Sequence, residues 1–464
     1  MNPPLATPEV ALRTADVASA RDTRFFGHPS GLATLFFTEM WERFSYYGMR
    51  AFLVLYMTAP AAAGGLGFAD ANATSIYGTY TGSAWGASII GGFVADRMLG
   101  QYRSVLIGGI VIALGHFALA FRSLAFFYTG LALIVVGTGL LKPSVSTLVG
   151  ALYDDGDKRR DAGFSLFYMG INSGAILGPI IAGYIAQRID WHAGFAVAGI
   201  GMTLGLVQYV IGRKRLRMAM ERMEARRPSP AATATARVAP AHEGGLLGFT
   251  TLEWRRIAVI VIFFLFAILF WGAYEQAGST LNLFADRYTR LEVFGFSFPS
   301  SWFQSVQPIF VVILAPIFAW IWIKLGRRDP SVPTKIALGI LFMGLSFLVL
   351  VPAGAMAQSG EGVRVSPWWL VLAYFGSELG ELCVYPVGMS AVTRLSPARI
   401  VGVMMGVWFL SIAFGNKLAG YAAGFISSIP LTQLFGTVAG VLIVAALIMF
   451  ALVKPIRALA AEGR

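Results

Sequence analysis

Long apolar stretches alternate with short polar connections almost from one end of the chain to the other. A helix of about 17 to 25 apolar residues crosses the hydrocarbon core of a bilayer. Stretches of this length lie near 31–57, 74–95, 103–121, 124–150, 162–187, 194–213, 257–285, 299–326, 333–352, 367–393, 400–426 and 431–453. The pattern therefore predicts an all-α integral membrane protein with twelve transmembrane helices.

The apolar stretches form two groups of six, with one long polar segment between them. We expect a tail at 1–30, a six-helix bundle at 31–213, a linker at 214–256, a second six-helix bundle at 257–453 and a tail at 454–464. The linker contains the run RRPSPAATATARVAPAHEGG, which is too polar to bury itself. We expect it to be flexible or weakly helical, with no extra helix pair between the halves.

Positive charge is distributed unevenly among the connections. Lys and Arg crowd the tails, the linker and the loops on the same side, whereas the loops of the other side hold only Arg122, Arg188, Arg287, Arg290 and Arg364. The positive-inside rule then places both termini in the cytoplasm of a bacterial-type inner (plasma) membrane. The net charge of +12 follows mostly from this bias. This positive charge is expected to face solvent and the anionic headgroups of a lipid bilayer, and it does not require nucleic acid as a partner.

The use of cysteine and histidine excludes several kinds of chemistry. The single cysteine, Cys383, cannot form an intrachain disulfide. The four histidines are scattered and show no metal-ligand spacing. No nucleophile–base pair or metal cluster is visible at membrane depth, so we expect no enzyme activity, no metal and no cofactor.

The most polar part of the first apolar stretch is the segment Glu-Met-Trp-Glu-Arg-Phe-Ser-Tyr-Tyr-Gly-Met-Arg at 39–50. At about 100° per residue, its charged and phenolic groups share one stripe of a helix; they are Glu39, Glu42, Arg43, Tyr46, Tyr47 and Arg50. A charge at the bilayer centre costs about 2.5 to 3.5 kcal/mol even on the lenient insertion scale. The stripe must face protein or water, and it marks a candidate functional site.

Two connections carry a related motif. The turn after the second stretch reads Gly92-Phe-Val-Ala-Asp96-Arg97-Met-Leu-Gly100, and the one after the eighth reads Lys324-Leu-Gly326-Arg327-Arg328. Together with the arrangement of six and six helices, these turns resemble the major facilitator superfamily, in which two halves rock about a site at mid-membrane. That resemblance implies a gating or structural role for Asp96 and Arg97.

A set of further motifs is spread along the chain. The motifs are Glu39-x-x-Glu42-Arg43-Phe44-x-Tyr46-Tyr47-Gly48, Gly139-Leu-Leu-Lys142-Pro143, Gly170-Ile-Asn172, Trp271-x-x-x-Glu275-Gln276, Gly380-Glu381-Leu382 and Pro386-Val-Gly388, with Trp408. Together they resemble the proton-coupled oligopeptide transporter (POT) family within that superfamily. The chain departs from the family at three positions. It has Trp85 where a tyrosine is frequent, Gln307 where an asparagine is common, and Gly78 where animal relatives have a proton-active histidine.

The resemblance implies import of di- and tripeptides driven by protons. The residues implied to bind the carboxylate end of the peptide are Arg43, Tyr47, Lys142 and Asn172. Glu381, with Gln307, would bind the amino end. The side-chain pockets would be lined by Trp85, Trp271 and Trp408. The residues implied in proton coupling are Glu39, Glu42, Arg43, Arg50, Lys142 and Glu275.

Depth in the membrane provides a check that does not depend on the family. A rise of 1.5 Å per residue from the helix ends puts Lys142 level with the charges at 39–43, so we expect it to pair with Glu39 or Glu42. The same count puts Arg50 level with Glu275, which predicts an ion pair between the halves.

Two acids of the tenth stretch remain to be assigned. Glu378 lies level with Lys417 of the eleventh stretch, which predicts a second ion pair, and Glu381 has no evident cation. The second half would therefore present acids to a central cavity, and the first half would present cations. A short peptide carries an ammonium and a carboxylate about 7 Å apart, which fits such a field.

The coupling ion is expected to be the proton, because carboxylates are present at depth and no cluster of oxygen ligands for sodium is visible. Two alternatives remain open. The chain could carry another anionic or zwitterionic solute, such as nitrate or a peptide-like drug, or it could be a non-transporting sensor with this fold. We expect it to act as a monomer.

Overall fold

The computed structural model describes residues 22–154, 156–225 and 249–460, most of which are helical. The long helices α1 to α12 are, in order, Ser30–Thr58, Asp70–Val94, Gln101–Leu119, Leu124–Ala151, Arg160–Arg188, Trp191–Ile211, Thr251–Tyr288, Ser300–Arg328, Val332–Ala357, Trp368–Leu395, Val401–Ala423 and Leu431–Leu459. A small hairpin between α7 and α8 pairs β1 (Glu292–Val293) with β2 (Phe296–Ser297). The predicted stretches agree with these helices to within six residues at every end.

Ten of the described helices, α3 to α12, are long and apolar enough to cross a membrane. The helices α1 and α2 have 29 and 25 residues and are more polar. Three of the ten are not regular throughout: α5 widens into a π-helical turn at Pro179–Gly183, α7 tightens into a 3₁₀ turn at Glu275–Gly278, and α8 is 3₁₀-helical at Ser300–Ser305 and Gly326–Arg328. The chain is thus a helical membrane protein, and the count of twelve crossings stays a prediction.

The same packing scheme occurs twice. In the first half, α1 packs against α5 and α6, α3 against α4 and α6, and α2 against α4. The second half repeats these contacts with each helix number raised by six. Helix α7 packs against α11 and α12, α9 against α10 and α12, and α8 against α10. The two halves are therefore structural repeats, as the resemblance to the major facilitator fold predicted.

The halves meet where α2 packs along α11 and where α5 packs against α8. Glycines bring the backbones of α2 and α11 together: a Cβ at Gly78 would lie 2.6 Å from the carbonyl oxygen of Asn416, and one at Gly420 would overlap the backbone of Thr74. Small residues permit this approach without losing helix–helix contact. Gly78 therefore has no space for the histidine that animal relatives carry.

One end of the molecule joins the halves by polar bonds. We call the end where α1 begins and α12 ends the terminal end, and the opposite one the far end. At the far end Arg287 donates to both carboxylate oxygens of Asp70 at 2.7 Å, and Asn282 donates to the carbonyl of Ala51 at 2.7 Å. Trp302 donates to the carbonyl of Ile180 at 3.1 Å. The far ends of the two halves are thus closed against each other.

The linker differs from its prediction at its start. Residues Arg213–Ala225 form a helix, the linker helix, whose Leu216, Ala219 and Arg222 are buried against the first half. Arg222 donates to the carbonyl of Ala151 at 2.8 Å, which satisfies an acceptor at the end of α4. Of the two forms expected, flexible or weakly helical, residues 214–225 take the helical one, and the expectation that the linker cannot bury itself is wrong there. The expected absence of an extra helix pair concerns 226–248, which lie outside the described residues.

Candidate functional site

A cavity of about 160 Å³ lies at mid-depth between the halves. The ionisable side chains that α1 and α4 contribute to its wall are Glu39, Arg43, Arg50 and Lys142. The second half contributes the carboxyl groups Glu275 and Glu381. Among the described residues of the wall, cations come from the first half alone, which is the asymmetry that the sequence predicted.

The stripe on α1 divides into two faces. Glu39, Arg43, Tyr47 and Arg50 line the cavity, as expected for positions spaced by three or four along one helix face. Glu42, also part of the stripe, is only 1% exposed and lies outside the cavity wall. It still contacts the site, because Arg43 donates to it through a short bond.

Arg43 is the most heavily engaged cation of the cavity. Its Nε lies 3.2 Å from an oxygen of Glu39 and also bonds Glu42. Its guanidinium carbon stands 5.3 Å from the ring centroid of Tyr46 and 6.0 Å from that of Tyr47. Its Nη2 is buried and has no hydrogen-bond partner among the described residues. A planar guanidinium with one free donor edge can receive an added carboxylate.

Lys142 does not form the predicted pair with Glu39 or Glu42. Its Nζ lies 2.9 Å from the ring centroid of Trp85 on α2, and no carboxylate of the described chain lies within ion-pair distance of it. The cause is the close crossing of α2 and α4, where a Cβ at Gly91 would overlap the backbone of Gly139. This crossing directs Lys142 towards α2 and leaves its charge available to an anion in the cavity.

The predicted pair between Arg50 and Glu275 is confirmed. Nη2 of Arg50 lies 2.6 Å from Oε2 of Glu275, and its Nε donates to the hydroxyl of Tyr77 at 2.5 Å. Both charges are more than nine-tenths buried. The pair links α1 to α7 at the far side of the cavity, so it joins the two halves where they are closed. A buried pair of this kind is costly to break, because either charge alone would be left without a partner.

The acids of α10 face α7 and do not reach α11. The hydroxyl of Tyr274 lies 3.0 Å from Oε2 of Glu381 and 3.1 Å from Oε1 of Glu378. The predicted pair of Glu378 with Lys417 is wrong, because Lys417 is exposed and donates to Thr79 at 2.6 Å. Equal depth did not imply contact, since the two side chains point in different directions around their helices.

The uncharged residues predicted for the site lie at the wall with one exception. Those that line the cavity are Tyr47, Trp85, Asn172, Trp271 and Gln307. Trp408 does not line it: the ring is 1% exposed and packs against α10, where a side chain at Gly388 would overlap it. Its predicted role as the lining of a side-chain pocket is therefore wrong in this conformation.

Sequence reasoning missed three tyrosines that line the cavity, Tyr168, Tyr274 and Tyr385. Each lies one helical turn from a residue that was predicted: Tyr168 precedes Asn172 by four positions, Tyr274 follows Trp271 by three, and Tyr385 follows Glu381 by four. The i, i+3 and i, i+4 spacing was the signal that could have found them. Gln304 also lines the cavity and donates to the carbonyl of Ala277 at 2.6 Å.

Asp96 and Arg97 lie away from the cavity, in a π-helical turn at Ala95–Leu99 that extends α2. Asp96 accepts a hydrogen bond from the side chain of Gln101 at 2.5 Å, and Arg97 stands over the ring of Phe93. The turn ends at Gly100, whose φ of 76° favours glycine. These contacts fix the connection between α2 and α3, and the structural or gating role that the resemblance implied stays a prediction.

The cavity is closed at the far end and continues towards the terminal end. A space of about 650 Å³ between α8 and α10 shares Tyr168, Glu381 and Tyr385 with it. This space extends to Trp322 and Thr393, which lie near the terminal ends of those helices. The space that adjoins the cavity therefore extends towards the terminal end.

Comparison with known proteins agrees with this architecture. The family model PTR2, the POT family, matches residues 102–228 and 250–441. The chain is 38% identical to the peptide transporter YePEPT of Yersinia enterocolitica subsp. palearctica, over 94% of this chain and 96% of that protein. It is 36% identical to the di-/tripeptide transporter of Lactococcus lactis subsp. cremoris, over 95% and 98% respectively.

A solved structure is similar over the same extent. The crystal structure of a peptide transporter POT in complex with sulfate superposes with a TM-score of 0.86 and 41% sequence identity, and it covers 96% of this chain and 99% of that chain. The segments that the family model matches extend from α3 to the first part of α12. The chain belongs to the POT family.

Proposed function

We propose that this protein imports di- and tripeptides together with protons by alternating access between its two halves. The observation that supports this most directly is that Arg43, Lys142 and Glu381 share one cavity, with the cations on one wall and the acid on the other. A dehydrated peptide needs a partner for each of its two charged ends. The relatives named as peptide transporters extend over nearly the whole chain, which supports the same substrate class.

In this proposal the peptide carboxylate binds the free edge of Arg43 and the ammonium of Lys142, while Tyr47 and Asn172 donate to it or fix its position. The peptide ammonium binds Glu381, with Gln307 beside it. Gln307 already donates to Ser377 of α10 at 3.3 Å, so α8 and α10 act together at that end. Trp85 and Trp271 supply apolar surface for the peptide side chains.

The proton acts on the ion pairs of α1. Protonation of Glu39 or Glu42 weakens the hold of these acids on Arg43 and frees it for the peptide carboxylate. Protonation of Glu275 releases Arg50, which allows the far end to open. The far end would then face the outside of the cell and the terminal end the cytoplasm, with twelve crossings and both termini inside.

Purified protein in liposomes tests the proposal. With an inward proton gradient, labelled dialanine should accumulate above its external concentration, whereas N-acetyl-dialanine, which lacks the ammonium, should not. Glu42→Gln should abolish uphill uptake and retain exchange of dialanine at equal pH. Absence of accumulation with wild-type protein, or full uphill uptake by Glu42→Gln, would contradict the proposed function and the proposed coupling respectively.

A further inference from the structure

The contacts of Tyr274 with the two acids of α10 constrain the number of protons at that site. The tyrosine oxygen lies 3.1 Å from Oε1 of Glu378 and 3.0 Å from Oε2 of Glu381, and both distances are those of hydrogen bonds. Two hydrogen bonds need two protons, and the phenol supplies one. If the other comes from Glu378, its O–H donates to the tyrosine oxygen and the tyrosine O–H donates to Glu381.

The alternative is that both acids are ionised and the phenol proton is shared between them. That arrangement places two like charges one helical turn apart in a buried site, where neither ion has a compensating partner, and it is strongly unfavourable. Glu378 is 0% exposed, and its Oε2 has no hydrogen-bond partner among the described residues. A fully buried carboxylate with one oxygen unsatisfied is far less stable than a neutral carboxylic acid in the same place.

No described cation neutralises the two acids. The cations of the cavity wall are engaged elsewhere: Arg43 with Glu39 and Glu42, Arg50 with Glu275, and Lys142 with the ring of Trp85. Lys335 on the neighbouring α9 pairs with Asp329, and Lys417 on α11 bonds Thr79. The other ionisable or polar groups that face the pair from α5, α7, α8 and α10 are Tyr168, Glu275, Gln307 and Tyr385.

From this geometry we propose that Glu378 holds a proton and acts as a positioning residue for Glu381. The chain Glu378 O–H to Tyr274 O–H to Glu381 leaves one negative charge on the pair, located at the carboxylate that lines the cavity. Glu381 then presents a single, oriented charge to the ammonium of the peptide. This step rests on the proposed function, whereas the protonation of Glu378 does not depend on it.

Infrared spectroscopy of the purified protein reads the proton directly. A protonated carboxylic acid has a carbonyl stretch that an ionised one lacks, so the wild type at neutral pH should show this band and Glu378→Gln should lose it. Glu361→Gln, which removes an exposed acid from the loop between α9 and α10, should leave the band unchanged. An identical band in wild type and Glu378→Gln would overturn the proposal, whatever the transport assay shows.

Peptide binding distinguishes positioning from mere packing. Gln at 378 can still donate to Tyr274, so the affinity of Glu378→Gln for dialanine should stay within about threefold of wild type. Glu378→Met keeps a similar volume but has no donor, so the tyrosine O–H would be held less firmly towards Glu381. Glu381 would then bind a proton from solvent more readily at neutral pH, and that proton competes with the ammonium of the peptide. Affinity of Glu378→Met should fall at least tenfold at neutral pH and recover as the pH rises. A loss that is equal in both variants and independent of pH would contradict the proposal.

Discussion

The two ends of this protein are built differently from the same repeat. At the far end, ion pairs and hydrogen bonds such as Arg50–Glu275 and Asp70–Arg287 join the halves. Towards the terminal end, the cavity continues into the space between α8 and α10. The bonds between described residues of the two halves thus lie on one side of the site. The difference indicates that opening the far end requires a specific set of polar bonds to break, and each can be removed singly.

The largest expected effect comes from Arg50→Met. Glu275 would remain buried without its partner, which costs the closed far end about 3 to 5 kcal/mol. A cysteine introduced by Gln304→Cys in a Cys383→Ala background should then react at least tenfold faster with an impermeant maleimide added from the far side. The exchanged pair Arg50→Glu with Glu275→Arg is the control and should slow the reaction again. An unchanged rate in Arg50→Met would show that this pair does not keep the far end closed.

A smaller effect is expected where the halves pack without polar bonds. In Gly78→Ala the new methyl group would meet the backbone of α11, and overpacking of this kind costs about 1 to 3 kcal/mol. In Gly86→Ala, on the same helix, a methyl group meets nothing within 4 Å. The apparent melting temperature in detergent should fall for the first variant and stay constant for the second. Equal melting temperatures would mean that the contact between α2 and α11 is loose enough to adapt.

The ion pair at the rim of the far end, Asp70–Arg287, should stabilise the closed conformation less than the central pair Arg50–Glu275. The pair of Asp70 and Arg287 has good geometry, but the arginine side chain is 31% exposed, so solvent screening limits its contribution to about 1 kcal/mol. Asp70→Asn should therefore accelerate labelling at Gln304→Cys only a few-fold. High salt should reduce the difference between wild type and variant. An effect as large as that of Arg50→Met would contradict the ranking of centre over rim.

The smallest effect concerns the terminal end, where His28 precedes α1 and its Nδ1 lies 2.9 Å from the hydroxyl of Tyr153. Burial, and secondly the charge of Arg159, lower the pKa of His28 below its usual 6.5. The neutral form is favoured in the folded protein, so this contact should be most stable above pH 6.5 and should weaken as the pH falls below it. We expect the free energy that this contact contributes to stability to fall by less than about 1 kcal/mol.

Amide hydrogen exchange of the segment 25–30 measures this change. Protection should be lower at about pH 5.5 than at about pH 7.5 after correction for the intrinsic exchange rate. His28→Gln should abolish the difference between the two pH values. A pH dependence that persists in His28→Gln would assign the effect to another group.

Much of this architecture could be predicted from the sequence, because bilayer thickness fixes the length of each apolar stretch. Helical periodicity predicted which face of α1 lines the cavity. Depth in the membrane predicted the pair Arg50–Glu275, because α1 and α7 both border the axis between the halves. Equal depth in the membrane wrongly predicted an ion pair between Glu378 and Lys417, because depth does not tell which way a side chain points around its helix. Depth also gave the wrong partner for Lys142, because the close glycine crossing of its own helix, α4, with α2 places that side chain beside Trp85.

The linker shows a different limit. Average composition over 214–256 is polar and rich in proline and alanine, which favours a flexible segment. Its first part nevertheless has apolar residues at Leu216, Ala219 and Met223, a spacing that suits one face of a helix, and that face packs on the first half. Averaging the composition over a shorter stretch of sequence would have separated this amphipathic helix from the polar run that follows.

The first half contributes three cations and one acid to the cavity wall, and the second half contributes two acids, which has a consequence for any solute that enters. The two walls generate an internal field across the cavity, so a dipolar molecule is turned into one orientation before it touches a side chain. A solute with a single charge would be attracted by one wall and repelled by the other. Recognition of overall dipole direction can therefore precede recognition of chemical detail, which suits a carrier that must accept many side chains.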